Sequence, residues 1–252
     1  MFSETDYDKL KMIMEESPEK KELLSRLLTS HQMTISTMSH EIRNPLTLLY
    51  STMQLMESHY PQIVDFNYWS ELRNDIEYMK LLLEELSVYN NGNRLSISQI
   101  NTNTFFKTLV ISFASALIHT DIQFISKIAP NLPLIQGDPV KLRQVFLNLF
   151  ENARDAVCSS SHLNDKNRMI SFSVCYSRQE LLITIHDNGC GIPSEDINTI
   201  FEPFVTYKKN GTGLGLAIAS RIIKAHHGTL KAVSVPGIGT TFTLTLPVEK
   251  HS

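Results

Sequence analysis

The chain has 252 residues, 42% of them hydrophobic, so it can bury a sizeable core and has room for one large or two modest domains. A formal net charge of -3 gives no electrostatic reason to expect nucleic-acid binding. The three cysteines show no Cys-x-x-Cys spacing, so we expect neither a disulfide framework nor a zinc site, and a reducing cytoplasm fits best.

We expect neither a signal segment nor a membrane span in this sequence. The longest apolar stretch, residues 105–118, is interrupted by Lys107 and two serines and is shorter than the ~20 residues that a spanning helix needs. The chain begins with acidic residues and lysine rather than a basic and then apolar segment. We expect residues 1–28 to be either a partly ordered leader or a short helix over Asp8–Leu28 that is broken near Pro18.

A long amphipathic helix is predicted next, and it carries a histidine on its polar side. His40 lies two positions from both Met38 and Ile42, so it is about 200° away from each around the helix and faces solvent. Imidazole is a nucleophile that titrates near neutral pH, and a catalytic histidine must be reachable. The apolar residues of this helix recur mostly three and four apart, at Leu24, Leu28, Ile35, Met38, Ile42, Leu46, Leu49, Met53 and Met56.

The neighbours of His40 distinguish it from a lone surface histidine, which usually has no chemistry. Glu41 can hold or deprotonate an imidazole nitrogen, and Asn44 lies one turn further along. Pro45 has no N–H for the Glu41 carbonyl, so the helix is expected to bend or loosen after His40. The stretch Ser-His-Glu-Ile-Arg-Asn-Pro-Leu at residues 39–46 resembles the phosphoacceptor box of sensor histidine kinases.

A second helix is predicted after a turn at residues 59–62. Two such helices form an all-α helical hairpin that still exposes apolar surface, and pairing two hairpins into a dimeric four-helix bundle would bury it. We therefore expect residues 29–92 to be a homodimeric dimerisation and histidine phosphotransfer domain. The second helix carries a coiled-coil-like stripe of Trp69, Leu72, Ile76, Met79, Leu83, Leu86 and Tyr89.

The character of the chain changes after the turn signal at residues 91–93. Residues 93–252 mix helical and β patterns, which predicts an α+β two-layer sandwich with one helical layer and mostly antiparallel strands. We predict helices at Thr104–Ile118, at Pro139–Val157 and up to about His226, and strands at Ile122–Ile128, Met169–Tyr176, Glu180–His186 and in a hairpin over Thr229–Pro247.

The helix at residues 139–157 presents Asn148, Glu151, Asn152 and Asp155 within two turns. Carboxamide oxygens are hard ligands suited to Mg²⁺, and their amides can reach phosphate oxygens. Spacing alone would rather favour an ordinary polar helix face. The segments that follow along the chain favour the functional interpretation.

A second group of candidates is rich in glycine. Asp187 stands where a strand ends, and Gly189 and Gly191 after it allow another group to approach closely. A carboxylate there can accept a hydrogen bond from the exocyclic amine of adenine. The tract Gly-Thr-Gly-Leu-Gly-Leu at residues 211–216 opens a helix, whose N–H groups attract phosphates, although it matches neither the dinucleotide motif nor the P-loop.

In this order the asparagine helix, the Asp-x-Gly-x-Gly turn, Phe-Glu-Pro-Phe at residues 201–204, the glycine tract and the glycine turn at residues 237–242 resemble the N, G1, F, G2 and G3 boxes of histidine kinase ATP-binding domains. The resemblance implies the Bergerat (GHKL) ATP fold, with Mg²⁺ held by Asn152 and adenine by Asp187. The ATP-binding residues that it implies are Asn148, Asn152, Asp187, Gly189, Gly191, Lys208, Gly211, Thr212, Gly213, Leu214, Gly215 and Thr241.

The segment between the last two of these boxes resembles the Phe-x-Thr-Thr-Lys lids of nitrogen-regulation and sporulation kinases, from which Tyr207 departs. Lys208 matches the lysine of those lids and is the candidate for the γ-phosphate contact, with Lys209 the weaker candidate. The resemblance implies autophosphorylation of His40, aided by Glu41, and transfer to an aspartate on a response regulator receiver domain. It also gives Asn44 a place in a phosphatase reaction.

Two other functions stay open at this point. The chain could be an ATP-binding module that sequesters a regulator, or a phosphotransferase that relays phosphate through His40 without autokinase activity. The complete set of boxes argues against both of them.

Overall fold

The computed structural model describes residues 12–13, 17–92, 94–160, 167–208 and 211–248. It divides the chain into two compact units, Met1–Asn90 and Asn91–Ser252. In the part of the chain that is described, no helix has both the length and the apolar character needed to cross a bilayer.

The first unit is a helical hairpin. Helix α1 spans Pro18–His59, a short 3₁₀ helix spans Pro61–Asp65, and helix α2 spans Trp69–Asn91. Half of the predicted leader, residues 1–11 and 14–16, lies outside the described residues. Pro18 is the start of α1 rather than a break, because proline suits the first turn of a helix. Helix α1 also continues through Pro45, so the expected loosening does not interrupt it.

The core of the hairpin is small. Leu46 and Met53 of α1 are buried against Ile76 and Leu83 of α2, with Trp69 packed beside them. The side chain of Leu28 lies outside the described residues. Four other stripe residues are partly buried, namely Leu24, Ile35, Leu86 and Tyr89. Six stripe residues are 44–58% exposed, namely Met38, Ile42, Leu49, Met56, Leu72 and Met79. A single hairpin therefore covers only part of its apolar surface.

The second unit is an α+β two-layer sandwich, as predicted. Its strands are β1 (Ser98–Ile100), β2 (Ile122–Ile128), β3 (Ile135–Gly137), β4 (Arg168–Ser177), β5 (Glu180–Asp187), β6 (Thr229–Val235) and β7 (Gly239–Pro247). Its helices are α3 (Thr102–Ala116), α4 (Pro139–Cys158) and α5 (Gly215–Ala225). The main sheet has the order β2-β4-β5-β7-β6, in which only the β2–β4 pair is parallel. The two-stranded β1–β3 sheet was not predicted.

One face of the main sheet is buried against the helices. Along β5, Leu181, Ile183 and Ile185 are fully buried, and Asp187 ends the same row. Aromatic rings fill the space between the layers, and the rings of Phe113 and Phe150 stack with centroids 4.4 Å apart. The sheet thus presents a carboxylate at the end of an apolar row.

The start of α4 holds the segment that leads into this unit. Asp138 caps the helix and its other carboxylate oxygen accepts a hydrogen bond from the Ser96 N–H at 2.9 Å. The ammonium of Lys141 donates to the carbonyl of Asn91 at 2.5 Å. Two side chains of one helix turn therefore fix residues 91–96 to the unit.

His226 supports the same corner from the end of α5. Its Nε2 accepts the N–H of Asp138 at 2.9 Å, and its Nδ1 donates to the carbonyl of Ile222 at 2.8 Å. Because the first bond needs an unprotonated nitrogen, the ring is neutral here. Burial lowers the pKa of His226, which the Ile222 carbonyl only partly opposes.

Candidate functional site

His40 lies on the exposed side of α1, while the preceding Ser39 is buried and donates its hydroxyl to the carbonyl of Ile35 at 2.8 Å. Glu41 and Asn44 are exposed as well. The imidazole is thus reachable from solvent, as its position relative to the apolar stripe predicts.

Arg43 is a neighbour of His40 that sequence reasoning missed. Its guanidinium nitrogen lies 3.4 Å from Nδ1 of His40. Because arginine only donates, Nδ1 is the acceptor in this contact and the neutral ring carries its proton on Nε2. The three-residue spacing on one helix was an available signal for this pair.

Helix α4 brings three of its polar residues to one side of the second unit. The amide of Asn148 donates to the carbonyl of Gly215 at 3.1 Å, which ties α4 to the start of α5. The ammonium of Lys208 donates to Asn152 Oδ1 at 2.7 Å and to Asp155 Oδ2 at 2.6 Å. Glu151 is exposed on the same helix and takes no part in this contact.

The oxygens around Lys208 fit a magnesium ion in chemical type. A cation already lies between a carboxamide oxygen of Asn152 and a carboxylate oxygen of Asp155, and hard oxygens are what Mg²⁺ prefers. The described residues contain no group of three or more His, Cys, Asp or Glu side chains placed to hold a metal alone. Phosphate oxygens of a bound nucleotide would have to complete the coordination.

Asp187 is 1% exposed, and one oxygen of its carboxylate accepts the N–H of Gly189 at 2.9 Å. Burial raises the pKa of Asp187 from 3.8 to about 6, against the opposing effects of the Gly189 N–H and of His186. A buried carboxylate at the end of a strand can accept a hydrogen bond from a ligand amine.

The two glycines after Asp187 sit where a side chain would not fit. A Cβ on Gly189 would overlap the backbone of Ala156 in α4, and the next N–H, of Cys190, donates to the Ala156 carbonyl at 3.1 Å. Gly191 has φ +69° and lies against the carbonyl of Val235. This packing brings the Asp187 turn against the helix that carries Asn152.

The segment before α5 forms a short loop. Phe204 and Gly213 both have positive φ, +67° and +71°, and the Phe204 N–H donates to the Gly213 carbonyl at 2.9 Å. Gly211 packs on the hydroxyl of Thr206, leaving no room for a side chain. Lys209 lies outside the described residues. We call residues 205–208 and 211–212 the lid.

The end of the lid leads directly into α5. The hydroxyl of Thr212 accepts the N–H of Leu214 at 3.3 Å, and Leu214 is fully buried just before the helix begins at Gly215. The first N–H groups of α5 therefore lie next to Asn148, which binds the Gly215 carbonyl. A helix start beside a carboxamide suits a phosphate.

Thr241 is not on the side of the sheet where Asp187 lies. Its hydroxyl bonds Nδ1 of His186 at 3.0 Å on the opposite face, whereas Thr240 is 3% exposed and pairs with Asp187 across the β5–β7 ladder. The structure disagrees with Thr241 as a nucleotide contact and favours Thr240. The alternation of Thr240 with Phe242 along β7 could have predicted this.

Comparison with known proteins identifies the class of this domain. Residues 137–250 match the family described as "Histidine kinase-, DNA gyrase B-, and HSP90-like ATPase". The fold, the order of the site residues and this match define an ATP-binding ATPase domain.

Two similar proteins define the class of the chain more closely. The chain is 33% identical over 211 residues to the signal transduction histidine-protein kinase AtoS of Escherichia coli, covering 84% of this chain and 34% of AtoS. It is 31% identical over 256 residues to sporulation kinase B of Bacillus subtilis, covering 94% and 55% of the two chains. Over 84% and 94% of its own length, the chain is therefore similar to histidine kinases. It spans about a third to just over half of the length of these relatives.

A solved structure shares the fold. Histidine kinase ThkA in complex with response regulator protein TrrA aligns with a TM-score of 0.62 and 23% identity, over 92% of this chain and 66% of that one.

Proposed function

We propose that the chain is the catalytic part of an ATP-dependent protein histidine kinase. It phosphorylates His40 and passes the phosphoryl group to an aspartate on a response regulator. The observation that carries the proposal is the combination of an exposed His40 in the helical unit with Asn148, Asn152 and Asp187 brought to one side of the ATPase unit. The known structure of ThkA with a response regulator supports this kind of partner.

The transfer to His40 is a displacement at phosphorus. One imidazole nitrogen forms the N–P bond as the bond from the γ-phosphorus to the β,γ-bridging oxygen breaks and ADP leaves, while the N–H proton passes to Glu41 or to solvent. The Arg43 contact fixes Nδ1 as an acceptor, so Glu41 can accept from Nδ1 only after Arg43 moves away and the ring changes tautomer.

The nucleotide end of the reaction depends on positioning and charge. Asp187 accepts from the adenine amine, the N–H groups at the start of α5 face the phosphates, and Asn148 holds that helix start in place. Asn152 is the protein ligand proposed for Mg²⁺, which neutralises phosphate charge when bound. Lys208 is proposed to reach the γ-phosphate once it leaves Asn152.

We also propose a homodimer. The exposed stripe residues of α1 and α2 form an apolar surface that a second hairpin would bury in a four-helix bundle.

The three cysteines, which are free, suit a cytoplasmic location.

The function is tested with Mg²⁺ and ATP labelled in the γ-phosphate. The protein should acquire label that acid removes and base does not, as expected of a phosphoramidate. His40→Gln should abolish the label and leave nucleotide affinity unchanged, whereas His59→Gln, an exposed histidine of the same helix, should keep it. Undiminished label in His40→Gln would contradict the assignment.

The same assay separates the alternatives. A chain that takes no label from ATP but accepts phosphate on His40 from a phosphorylated regulator would be a relay phosphotransferase. Nucleotide binding with no phosphate on His40 under either condition would indicate a sequestering module.

A further inference from the structure

We infer that Asp155 is a positioning residue for the lid: together with Asn152 it holds Lys208 at the proposed metal position until a nucleotide with its Mg²⁺ displaces the lysine. The inference rests on the proposed function, since it concerns how the same site opens. It assigns a role to a side chain that the box pattern leaves without one.

The contact is built from two sides of the unit. Asp155 and Asn152 are three residues apart on α4, so their oxygens lie side by side on one helix face. The Lys208 ammonium reaches both, at 2.6 and 2.7 Å, across 53 and 56 residues of chain. Two short bonds to one ammonium define its place better than a single surface ion pair would.

The lid is shaped so that Lys208 points this way. The hydroxyl of Thr206 accepts the Lys208 N–H at 3.2 Å, and the Gly211 N–H donates to the Lys208 carbonyl at 3.2 Å. The adjacent Tyr207 hydroxyl bonds Asp196, an interaction that raises the pKa of Tyr207. Two consecutive lid residues are therefore tied down in different directions.

The same oxygens cannot serve the lysine and a nucleotide-bound cation together. An ammonium 2.7 Å from Asn152 Oδ1 would repel a divalent ion bound to that oxygen. Binding of a nucleotide with its Mg²⁺ therefore requires Lys208 to leave, and the lysine freed in this way is available to a phosphate. The lid contact and the ligand compete, and such competition lowers the apparent affinity of the ligand.

The solvent exposure of Lys208 and Asp155 limits how strongly their contact competes with nucleotide binding. The side chains of Lys208 and Asp155 are 45% and 40% exposed, and ion pairs of that kind are weak. Release of the lysine should therefore tighten nucleotide binding by roughly twofold to tenfold. Arg154, 3.7 Å from Asp155, is a second cation that the same carboxylate faces.

The experiment compares Asp155→Asn with Glu151→Gln in the full chain. Both variants lose one negative charge from the same helix, but only Asp155 contacts the lid. Without nucleotide, trypsin should cleave after Lys208 several-fold faster in Asp155→Asn than in the wild type, and at the wild-type rate in Glu151→Gln. Equal cleavage rates in the two variants would overturn the inference.

Nucleotide affinity gives an independent measurement. Calorimetry with ADP and saturating Mg²⁺ should give a dissociation constant twofold to tenfold lower for Asp155→Asn. In a Lys208→Met background the same change should have no effect. A gain that persists without Lys208 overturns the inference. Wild-type protein that binds no ADP would contradict the proposed function instead, and the trypsin assay would still test the lid contact.

Discussion

The two units of this chain differ in how much of their apolar surface they bury. The ATPase unit is complete in itself, with Phe106, Phe146, Phe150 and Phe172 at most 1% exposed between its layers. Among the described residues of the hairpin, four hydrophobic side chains are buried, and six stripe residues are 44–58% exposed. The difference teaches that one unit buries its core within one chain, whereas the other leaves the apolar surface on which the proposed homodimer rests.

The largest effect should come from charging the hairpin. Leu83→Glu with Leu86→Glu would place four charges in a dimeric bundle, at a cost on the order of 4 kcal/mol or more. The dimer should split or the hairpin unfold, as seen by light scattering and circular dichroism, while the ATPase unit keeps its own melting transition. Leu81→Glu is the control, because Leu81 is two residues from both Met79 and Leu83 and so faces away from the stripe of the same helix.

This prediction has a counterpart in a fragment of residues 93–252. The fragment should be monomeric and bind nucleotide, yet take no phosphate, since His40 is gone. A full chain that is monomeric at micromolar concentration with autophosphorylation intact would contradict the dimeric bundle.

A core substitution in the ATPase unit should destabilise that unit and leave the proposed dimer intact. Phe150→Ala should destabilise that unit by about 3–5 kcal/mol, because the ring is fully buried between two layers. Calorimetry should show its transition move down with the dimer preserved. Tyr176→Ala, at a 47% exposed position of β4 in the same unit, should move it little. Loss of the dimer in Phe150→Ala would mean that the units are not independent.

Asp187→Asn should separate stability from binding. The carboxyl has a pKa of about 6 in the folded unit against 3.8 ordinarily, so its ionisation costs stability as pH rises from about 4 to above 6. At neutral pH the cost is on the order of 3 kcal/mol, and asparagine removes it.

The variant should therefore melt higher above pH 6 without nucleotide, while it binds adenine nucleotides more weakly than the wild type. Asp121→Asn, an exposed position, is the control. Unchanged affinity for ATP in Asp187→Asn would place the adenine elsewhere.

The smallest effect concerns acid pH and His226. Its pKa in the folded unit is lower than 6.5, so the unfolded chain binds a proton that the folded chain does not as pH falls below 6.5. Stability from this residue is complete above that pH and declines below it, by about 1–3 kcal/mol if the Asp138 N–H loses its acceptor.

All proteins compared here carry Asp187→Asn, because ionisation of Asp187 changes stability in the opposite sense over the same pH range. Melting temperatures measured from pH 7.5 to 5 should then show the decline in the ATPase unit. His226→Gln should reduce the slope, because glutamine accepts the same hydrogen bond without titrating. His119→Gln, at an exposed position, should leave the slope as it is.

Strongly patterned elements were predictable from sequence. Strand β2 has the predicted bounds, and α4 differs by one residue, because both carry long regular apolar patterns. The β1–β3 pair was missed because three-residue strands have too few positions to show alternation. The misplaced Thr241 came from matching a motif without following the alternation of β7.

Contacts between distant segments were beyond the sequence. Nothing in the spacing of Asp155 and Lys208 indicates that they meet across 53 residues, because the meeting depends on the lid and α4 packing in three dimensions. The neutral state of His226 likewise depends on the N–H of a residue 88 positions away.

The close packing of Gly189 on Ala156 fixes how far the Asp187 turn lies from helix α4. It joins the turn that holds the proposed adenine reader to the helix that holds the proposed metal ligand, backbone against backbone, with no adjustable side chain between them. This backbone contact therefore sets the distance between the proposed adenine position and the proposed metal position. Other residues around the site can change in size or charge without altering this distance. A single methyl group at residue 189 would increase it.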